Sequence, residues 1–143
     1  MNHPYIYVGC FLCSDALQRV IEGFRVNPLE NDIQYPHITF AFKPYSVDRT
    51  LFGEEIKVVI TGYGNNGVNE GLRVELFSNN IVIQEMIDHI DQPHITVAVS
   101  NEGKPVNTKD LTFASVRPII LIGKYGGYTK WGTVHLRKDT HTS

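Results

Sequence analysis

The chain has 143 residues, of which 42% are hydrophobic and 20% are charged, and its formal net charge is −2. This length suits one domain with a core of its own. The sequence has no apolar run near the roughly 20 residues that a membrane helix needs, and it has no secretory signal. The chain is therefore expected to be cytoplasmic and to have no membrane partner. Residues 1–93 hold 6 Lys and Arg against 12 Asp and Glu, and residues 94–143 hold 7 against 3, which argues against binding of long duplex nucleic acid and favours a small anionic ligand.

The first third of the chain predicts a strand, a helix and a second strand. Residues 5–11 have the pattern of a strand, and Ser14 is placed to cap a helix whose apolar residues recur at helical spacing as far as Phe24. A polar stretch over 27–35 then leads to a strand over 36–42.

The only two cysteines, Cys10 and Cys13, form a C-x-x-C. A redox motif would need a thioredoxin-like context, and a zinc site would need two further ligands at suitable spacing; neither is visible. Two free, mostly buried thiols are therefore expected.

The remainder of the chain is rich in strands. Residues 54–63 and 72–77 alternate apolar and polar positions around a stretch of glycine and asparagine, which predicts a strand-turn-strand unit. Residues 81–90 have helical spacing and predict a short helix, with a strand as the alternative. The remaining segments are a strand over 93–99, a polar loop over 101–110, strands near 118–125 and 130–137, and a polar, frayed tail over 138–143.

Two of the predicted strands repeat each other. Pro36–Phe42 and Pro93–Val99 have the same residue at five of seven places, and both differences exchange one apolar residue for another. Because side chains alternate across a strand, each copy has an apolar face and a face that offers an imidazole, a hydroxyl and a methyl group to a ligand. The residues of that face are His37, Thr39 and Ala41 in the first copy and His94, Thr96 and Ala98 in the second.

Each half of the chain contains one predicted helix, several strands and one copy of the repeat. This pattern predicts a single α+β domain over 1–143 with two pseudo-symmetric lobes, whose antiparallel sheets meet around the two His-Ile-Thr strands at a central cleft.

A pair of histidines can cleave a phosphodiester without a metal. With an ordinary pKa near 6.5, one imidazole can take a proton from the attacking oxygen while the other gives one to the leaving oxygen. The hydroxyls of Thr39 and Thr96 can donate to the phosphate oxygens. The predicted catalytic residues are therefore His37, Thr39, His94 and Thr96.

A metal site is the alternative interpretation of these histidines. His37 and His94 would then need His89 or His135 as a third ligand, but no H-x-H or H-x-x-x-H pair and no neighbouring carboxylate supports it. No metal and no cofactor is therefore expected.

At its two His-x-Thr motifs the sequence resembles the 2H phosphoesterase superfamily, and the order of its elements is consistent over nearly the whole chain. The resemblance implies a bilobal, duplicated, LigT-like α+β fold with the site in a central groove, and a metal-independent reaction. It further implies that His37 and His94 are the acid and base and that Thr39 and Thr96 hold the phosphate.

The stretch 62–71 resembles that of a small prokaryotic and phage branch described as RNA-repair-like 2H proteins. Its G-x-G-x-x-G pattern is not a dinucleotide fingerprint, since a strand rather than a helix follows Gly71. The paired motifs are also similar to those of phage anti-CBASS enzymes, which degrade cyclic oligonucleotide messengers of bacterial defence; for a phage-encoded protein, the compartment would be the host cytoplasm.

A nucleotide needs stacking partners and local positive charge, and aromatic stacking contributes about 1–3 kcal/mol per base. Aromatic and basic residues at predicted strand ends are candidates for these contacts, with core or surface positions as the alternative. The candidates are Tyr5, Tyr7, Lys43, Lys124, Tyr125 and Trp131.

The sequence thus predicts a metal-independent phosphodiesterase that acts on a small nucleotide, either a cyclic oligonucleotide cleaved by attack of its 2′-hydroxyl or a 2′,3′-cyclic phosphate, as a monomer or small homo-oligomer. The alternatives are RNA-end processing, a binding module that sequesters a cyclic nucleotide, and a purely structural role for the repeated strands.

Overall fold

The computed structural model describes residues 3–137, which form an α+β fold around one antiparallel sheet. The strands are β1 Tyr5–Phe11, β2 Asn31–Asp32, β3 His37–Phe42, β4 Glu55–Asn65, β5 Asn69–Phe77, β6 His94–Val99, β7 Ala114–Thr129 and β8 Val134–His135. The helices are α1 Ser14–Glu22 and α2 Ile81–Asp88, with 3₁₀ helices at Arg49–Leu51 and Pro105–Asp110. No helix within 3–137 is long and apolar enough to cross a membrane.

All the strands belong to a single sheet, where two sheets were expected. Its order is β2-β6-β5-β4-β7-β1-β3, with β8 added to β7, and every pairing is antiparallel. The long strands β4 and β7 pair with each other in the middle of this order. They join the part of the sheet that contains β5 and β6 to the part that contains β1 and β3.

Both predicted helices are present. Helix α1 buries Leu17 and Ile21 but begins at Ser14, so the predicted capping role of Ser14 is wrong; Cys13 precedes the helix and its side chain caps nothing. The helix ends at Glu22, two residues earlier than expected. Helix α2 starts after Asn80, whose Oδ1 accepts hydrogen bonds from two backbone N–H groups of the first turn.

The predicted strand-turn-strand unit is confirmed and is longer than expected. Strands β4 and β5 continue to Asn65 and from Asn69, which leaves a three-residue turn between them. Gly67 has a φ of 86° in this turn, a conformation that favours glycine. The side chain of Asn66 completes the turn by accepting hydrogen bonds from the N–H groups of Val68 and Asn69.

The C-terminal region differs from the prediction in three places. Strand β7 runs over 16 residues, and Pro118 lies at an irregularity of its pairing with β4, which is where a sheet tolerates a residue without an N–H. Of the last predicted strand only β8 forms. The predicted polar loop contains the 3₁₀ helix Pro105–Asp110, which packs against β5 and β6. The predicted frayed tail lies outside the described residues.

The cysteines are both free, but their burial differs. Cys10 lies on the core face of β1 and is fully buried, and this burial raises its pKa to about 12. Cys13 is exposed, so the expectation of a buried thiol is wrong at this position, because the chain turns from the sheet into α1 there.

The two halves of the sheet repeat the same strand pairing. In the pair β1–β3, His37 lies opposite Phe11 and Thr39 opposite Gly9, and a bulge follows immediately. In the pair β5–β6, the residues in the same register are His94 opposite Arg73 and Thr96 opposite Gly71, again followed by a bulge. The backbone bonds preceding the two histidines also correspond: Leu12 N–H donates to the Pro36 carbonyl, and Val74 N–H donates to the Pro93 carbonyl. The two copies of the sequence repeat therefore have the same local strand pairing.

The sheet curves until its two ends meet. Strand β2 pairs with β6 at one edge, and the N–H of Ile33 continues this contact by donating to the Val97 carbonyl. Only residues 33–36 then separate β2 from β3, which pairs with β1 at the other edge. Accordingly, Cα atoms of β3 and β6 come within 8 Å of each other.

The hydrophobic core lies on one face of this curved sheet. Alternate residues of the central strand β4, namely Ile56, Val58 and Ile60, are completely buried there. The other core residues come from neighbouring strands and from both helices, and include Cys10, Leu17, Ile38, Leu72, Ile83, Ile87 and Ile95. The opposite face is the one that carries the histidines.

Candidate functional site

The two histidines are held by the same local hydrogen bond. Nδ1 of His37 lies 2.7 Å from the carbonyl oxygen of Tyr35, and Nδ1 of His94 lies 2.8 Å from the carbonyl oxygen of Gln92. Since a carbonyl oxygen can only accept, each Nδ1 carries a hydrogen. Within 3–137, Nε2 of neither imidazole has a protein partner. Each Nε2 is therefore the atom available to a ligand.

A proline directly before each histidine helps to orient its imidazole. Pro36 and Pro93 each stand between a histidine and the carbonyl that it binds. A proline fixes its own φ and restricts the preceding residue, so the direction of that carbonyl is set before the histidine side chain packs. The Pro-His dipeptide thus orients the imidazole locally.

His37 and His94 project from the same face of the sheet. Residues directly opposite one another in neighbouring strands point to one side, as do residues two apart in a strand. Successive steps of these two kinds lead across the sheet from His37 to His94. They pass, in order, through Phe11, Lys124, Glu55, Val59, Glu75 and Arg73. Because the sheet also curves end to end, the charge of His94 acts on His37. The two imidazoles therefore lie on one face of the sheet, near enough for the charge of one to affect the other.

Aromatic rings surround His37. Tyr7 stacks on its imidazole with the ring centroids 4.4 Å apart, and Phe11 approaches from the side at 5.6 Å. Tyr128 stacks in turn on Tyr7 at 5.0 Å. Burial lowers the pKa of His37 below its ordinary 6.5; the bond to the Tyr35 carbonyl opposes this shift, and the charge of His94 adds to it. Burial therefore favours the neutral form of the His37 imidazole.

The surroundings of His94 are polar. A cavity of about 610 Å³ lies beside it and is also lined by Arg73, Lys109 and Phe113, with the carboxylates of Glu75 and Asp91. His37 does not line this cavity. The two histidines therefore have equivalent backbone positions but chemically different neighbours.

The two threonines of the motifs also differ. Thr39 is exposed, and within the described part of the chain its hydroxyl has no protein partner. Thr96 is only 9% exposed, because the 3₁₀ helix Pro105–Asp110 covers its side of β6. The Thr96 hydroxyl lies 3.2 Å from the Pro105 carbonyl oxygen and 2.9 Å from the Thr108 hydroxyl. Of the two hydroxyls, only that of Thr39 is open to a ligand.

This difference predicts opposite consequences for stability. Thr96→Val should lower the free energy of unfolding by about 1–3 kcal/mol, because it leaves buried polar atoms with fewer partners. Thr39→Val, at an exposed position, should change it by less than about 0.5 kcal/mol. Urea unfolding of both variants measures this, and equal losses would contradict the assignment of Thr96 to the packed interior.

Two of the predicted ligand contacts are core residues, which corrects that prediction. Tyr5 is 4% exposed, and its hydroxyl lies 2.9 Å from Nδ1 of His135. A bulge between Tyr5 and Tyr7 separates the surroundings of these two side chains. Tyr125 is 3% exposed, since it lies opposite Cys10 and shares the core face with it.

The remaining candidates lie at different distances from the histidines. Tyr7 contacts His37, and Lys124 is opposite Phe11 on the histidine face. Trp131 is 66% exposed, but it follows Thr129, which pairs with the first residue of β1. His37 pairs with the last residue of β1, roughly 20 Å away along the strand. Lys43 lies towards that same end, where its N–H donates to the Ile6 carbonyl. The structure therefore brings Tyr7 and Lys124 to the surroundings of His37, but not Trp131 or Lys43.

Sequence reasoning missed Arg73, which lies directly opposite His94 on β5. Its equivalent in the other half is Phe11, so the repeat alone contains no signal for an arginine. The register of β5 against β6 would have been needed to place the two side chains together.

The histidines considered as further metal ligands have other partners. His89 ends α2 and its Nδ1 lies 2.7 Å from the Glu85 carbonyl oxygen, while His135 bonds the hydroxyl of Tyr5. Among residues 3–137, no group of three or more His, Cys, Asp or Glu side chains is arranged to hold a metal ion.

The fold and site together define an α+β protein with two matched histidines on one face of a curved antiparallel sheet. Comparison with protein-family models finds no matching family, and comparison with curated proteins finds no significant relative.

Proposed function

We propose that this protein is a metal-independent phosphodiesterase of the 2H type that cleaves small nucleotides, with His37 and His94 as its acid-base pair. The observation that carries the proposal is the matched pair of imidazoles, each fixed through Nδ1 by a carbonyl two residues earlier and each with an available Nε2. Strand stability alone gives no reason to repeat this arrangement.

The fold that we propose with this function is a duplicated, LigT-like one. Support comes from the matching register of β1–β3 and β5–β6, including the bulge immediately before Gly9 and before Gly71. In this proposal the continuous strands β4 and β7 join the two repeats, and the catalytic groups lie where the repeats approach each other.

In the proposed reaction, Nε2 of neutral His37 takes the proton of a ribose 2′-hydroxyl as the 2′-oxygen attacks phosphorus. The bond from phosphorus to the 5′-oxygen breaks, and Nε2–H of protonated His94 gives that oxygen its proton. The products are a 2′,3′-cyclic phosphate and a free 5′-hydroxyl. The Thr39 hydroxyl donates to a phosphate oxygen as negative charge develops.

The assignment of His37 as base predicts the acid side of the pH profile. Burial lowers its pKa below 6.5, so His37 stays neutral and active at pH values where an ordinary histidine is already protonated. We expect kcat/KM to fall only below pH 6.5 on the acid side. An acid inflection above 6.5, or a flat profile from pH 5 to 9, would contradict this assignment.

The proposal is tested by incubating the protein in EDTA with cyclic dinucleotides, cyclic trinucleotides, nucleoside 2′,3′-cyclic phosphates and 2′-5′ linked oligoadenylate, and separating the products by chromatography. Turnover of cyclic oligonucleotides supports a messenger-degrading enzyme, and turnover of 2′,3′-cyclic ends alone supports RNA-end processing. Binding without products would replace catalysis by sequestration. Activity that is lost in EDTA and restored by zinc would overturn the two-histidine mechanism.

A further inference from the structure

The two histidines lie at equivalent positions, yet the residue opposite each one differs in charge. Phe11 is opposite His37, and Arg73 is opposite His94. The His37 half is built from aromatic rings, whereas the His94 half presents a guanidinium and, from the 3₁₀ helix, the ammonium of Lys109. A ligand that matches both halves must itself be asymmetric, with an apolar, planar part and an additional anionic part.

The guanidinium of Arg73 is held in a defined position. Its Nε donates to the Thr61 hydroxyl at 3.1 Å, and its Nη2 donates to the Thr61 carbonyl oxygen at 3.0 Å and to the Ser115 hydroxyl at 3.3 Å. Gly62 leaves the space in which it lies, since a Cβ atom there would be 3.1 Å from Cζ of Arg73. The side chain is therefore fixed before any ligand binds.

All three acceptors of Arg73 are uncharged. Within residues 3–137 the ion pairs are those of Arg25 with Asp32 and Glu70, so neither Arg73 nor Lys109 has a carboxylate within 4 Å. A fixed, partly buried guanidinium without a carboxylate partner favours an anion from solution, and phosphate matches its planar donors.

The cavity limits how much anionic charge it can accept. Its volume of about 610 Å³ suits a ligand of nucleotide size. The exposed carboxylates of Glu75 and Asp91 also line it, and they would repel a polyphosphate. The arrangement fits a single phosphodiester beside Arg73.

We infer that Arg73 and Lys109 form a second phosphate subsite, which binds a phosphate next to the one that is cleaved. This inference rests on the proposed function, and it specifies the substrate class: nucleotides with at least two phosphates, such as cyclic oligonucleotides or oligonucleotides that end in a 2′,3′-cyclic phosphate. Nucleoside 2′,3′-cyclic monophosphates occupy only the catalytic half of the site.

The test is calorimetric binding to the His37→Gln variant, in which catalysis is disabled and the subsite is intact. Two ligands are compared: adenosine 2′,3′-cyclic monophosphate, with one phosphate, and the dinucleotide ApA ending in a 2′,3′-cyclic phosphate, with two. Adding Arg73→Gln should weaken the dinucleotide by about 10- to 100-fold and the mononucleotide by less than about twofold. Arg73→Lys should restore part of the loss. Arg19→Gln, which removes an exposed charge from α1, is the matched control and should change neither affinity.

Lys109→Gln, at an exposed position of the 3₁₀ helix, provides a second variant that does not disturb the bonds of Arg73. It should weaken the dinucleotide alone and lessen the salt dependence of its binding. Equal losses for both ligands, or no loss in either variant, would overturn the subsite. If the unsubstituted chain binds the dinucleotide with the predicted dependence on Arg73 but cleaves nothing, the subsite stands and the catalytic proposal fails.

Discussion

Replacing His37 or His94 with alanine is expected to lower kcat by about 10²- to 10⁴-fold, since each change removes one of the two proton transfers in the proposed reaction. The fold should survive both changes, because both imidazoles lie on the face of the sheet opposite the hydrophobic core; His94 bonds one backbone carbonyl, and His37 bonds a carbonyl and contacts the rings of Tyr7 and Phe11. Initial rates on the best substrate of the panel, measured in EDTA, test the loss of activity. Far-ultraviolet circular dichroism of the same variants tests whether the fold is kept.

His89→Ala is the matched control for this experiment. His89 is exposed, and like the site histidines it binds a backbone carbonyl through Nδ1, but it lies at the end of α2 and outside the proposed site. Its replacement should leave kcat unchanged. Full activity in either His37→Ala or His94→Ala would exclude the acid-base pair, and a comparable loss in His89→Ala would show that the effect is not specific to the site.

Arg25→Ala is expected to lower the free energy of unfolding by about 3–5 kcal/mol, because it leaves the fully buried carboxylate of Glu70 without its cation. Nη2 of Arg25 lies 2.6 Å from Oε1 of Glu70, and the Tyr63 hydroxyl also donates to this carboxylate. The pair ties the chain that follows α1 to β5. It therefore stabilises the position of the segment between α1 and β3. In this segment β2 pairs with β6, and β3, which follows it, pairs with β1.

Two further variants separate this buried pair from ordinary surface charge. Asp32 also contacts Arg25, at 3.3 Å, but its side chain is 55% exposed, so Asp32→Asn should cost no more than about 1 kcal/mol. The double variant Arg25→Met, Glu70→Leu should recover much of the loss, because it removes the buried charge together with its partner. Urea unfolding provides all three values, and a loss below about 1 kcal/mol for Arg25→Ala would contradict the structural role assigned to the pair.

The elements that could be predicted from the sequence are those whose signals are local. The apolar spacing of Leu17 and Ile21 indicates α1, and the alternation on both sides of the Asn66 turn indicates the β4–β5 hairpin. The repeated Pro-His-Ile-Thr also carries the orientation of each imidazole, since the carbonyl that holds it is only two residues away. Such features depend on neighbours in the chain and hardly on the rest of the fold.

Features that depend on distant segments could not be predicted. The burial of Thr96 results from the 3₁₀ helix Pro105–Asp110, which contacts it through Thr108. Tyr125 and Lys124 are adjacent in the chain, but their register against β1 places the first in the core and the second on the histidine face. The sequence patterns around these residues are compatible with either position.

The sequence by itself determined the α+β composition, the two histidine strands and the geometry of each imidazole, because hydrophobic alternation and proline act over a few residues. Only the tertiary structure decided that all the strands join one curved sheet, that Arg73 lies opposite His94 and that aromatic rings enclose His37. These contacts are set by strand register and by the closure of β2 onto β6, which bring together residues far apart in the chain.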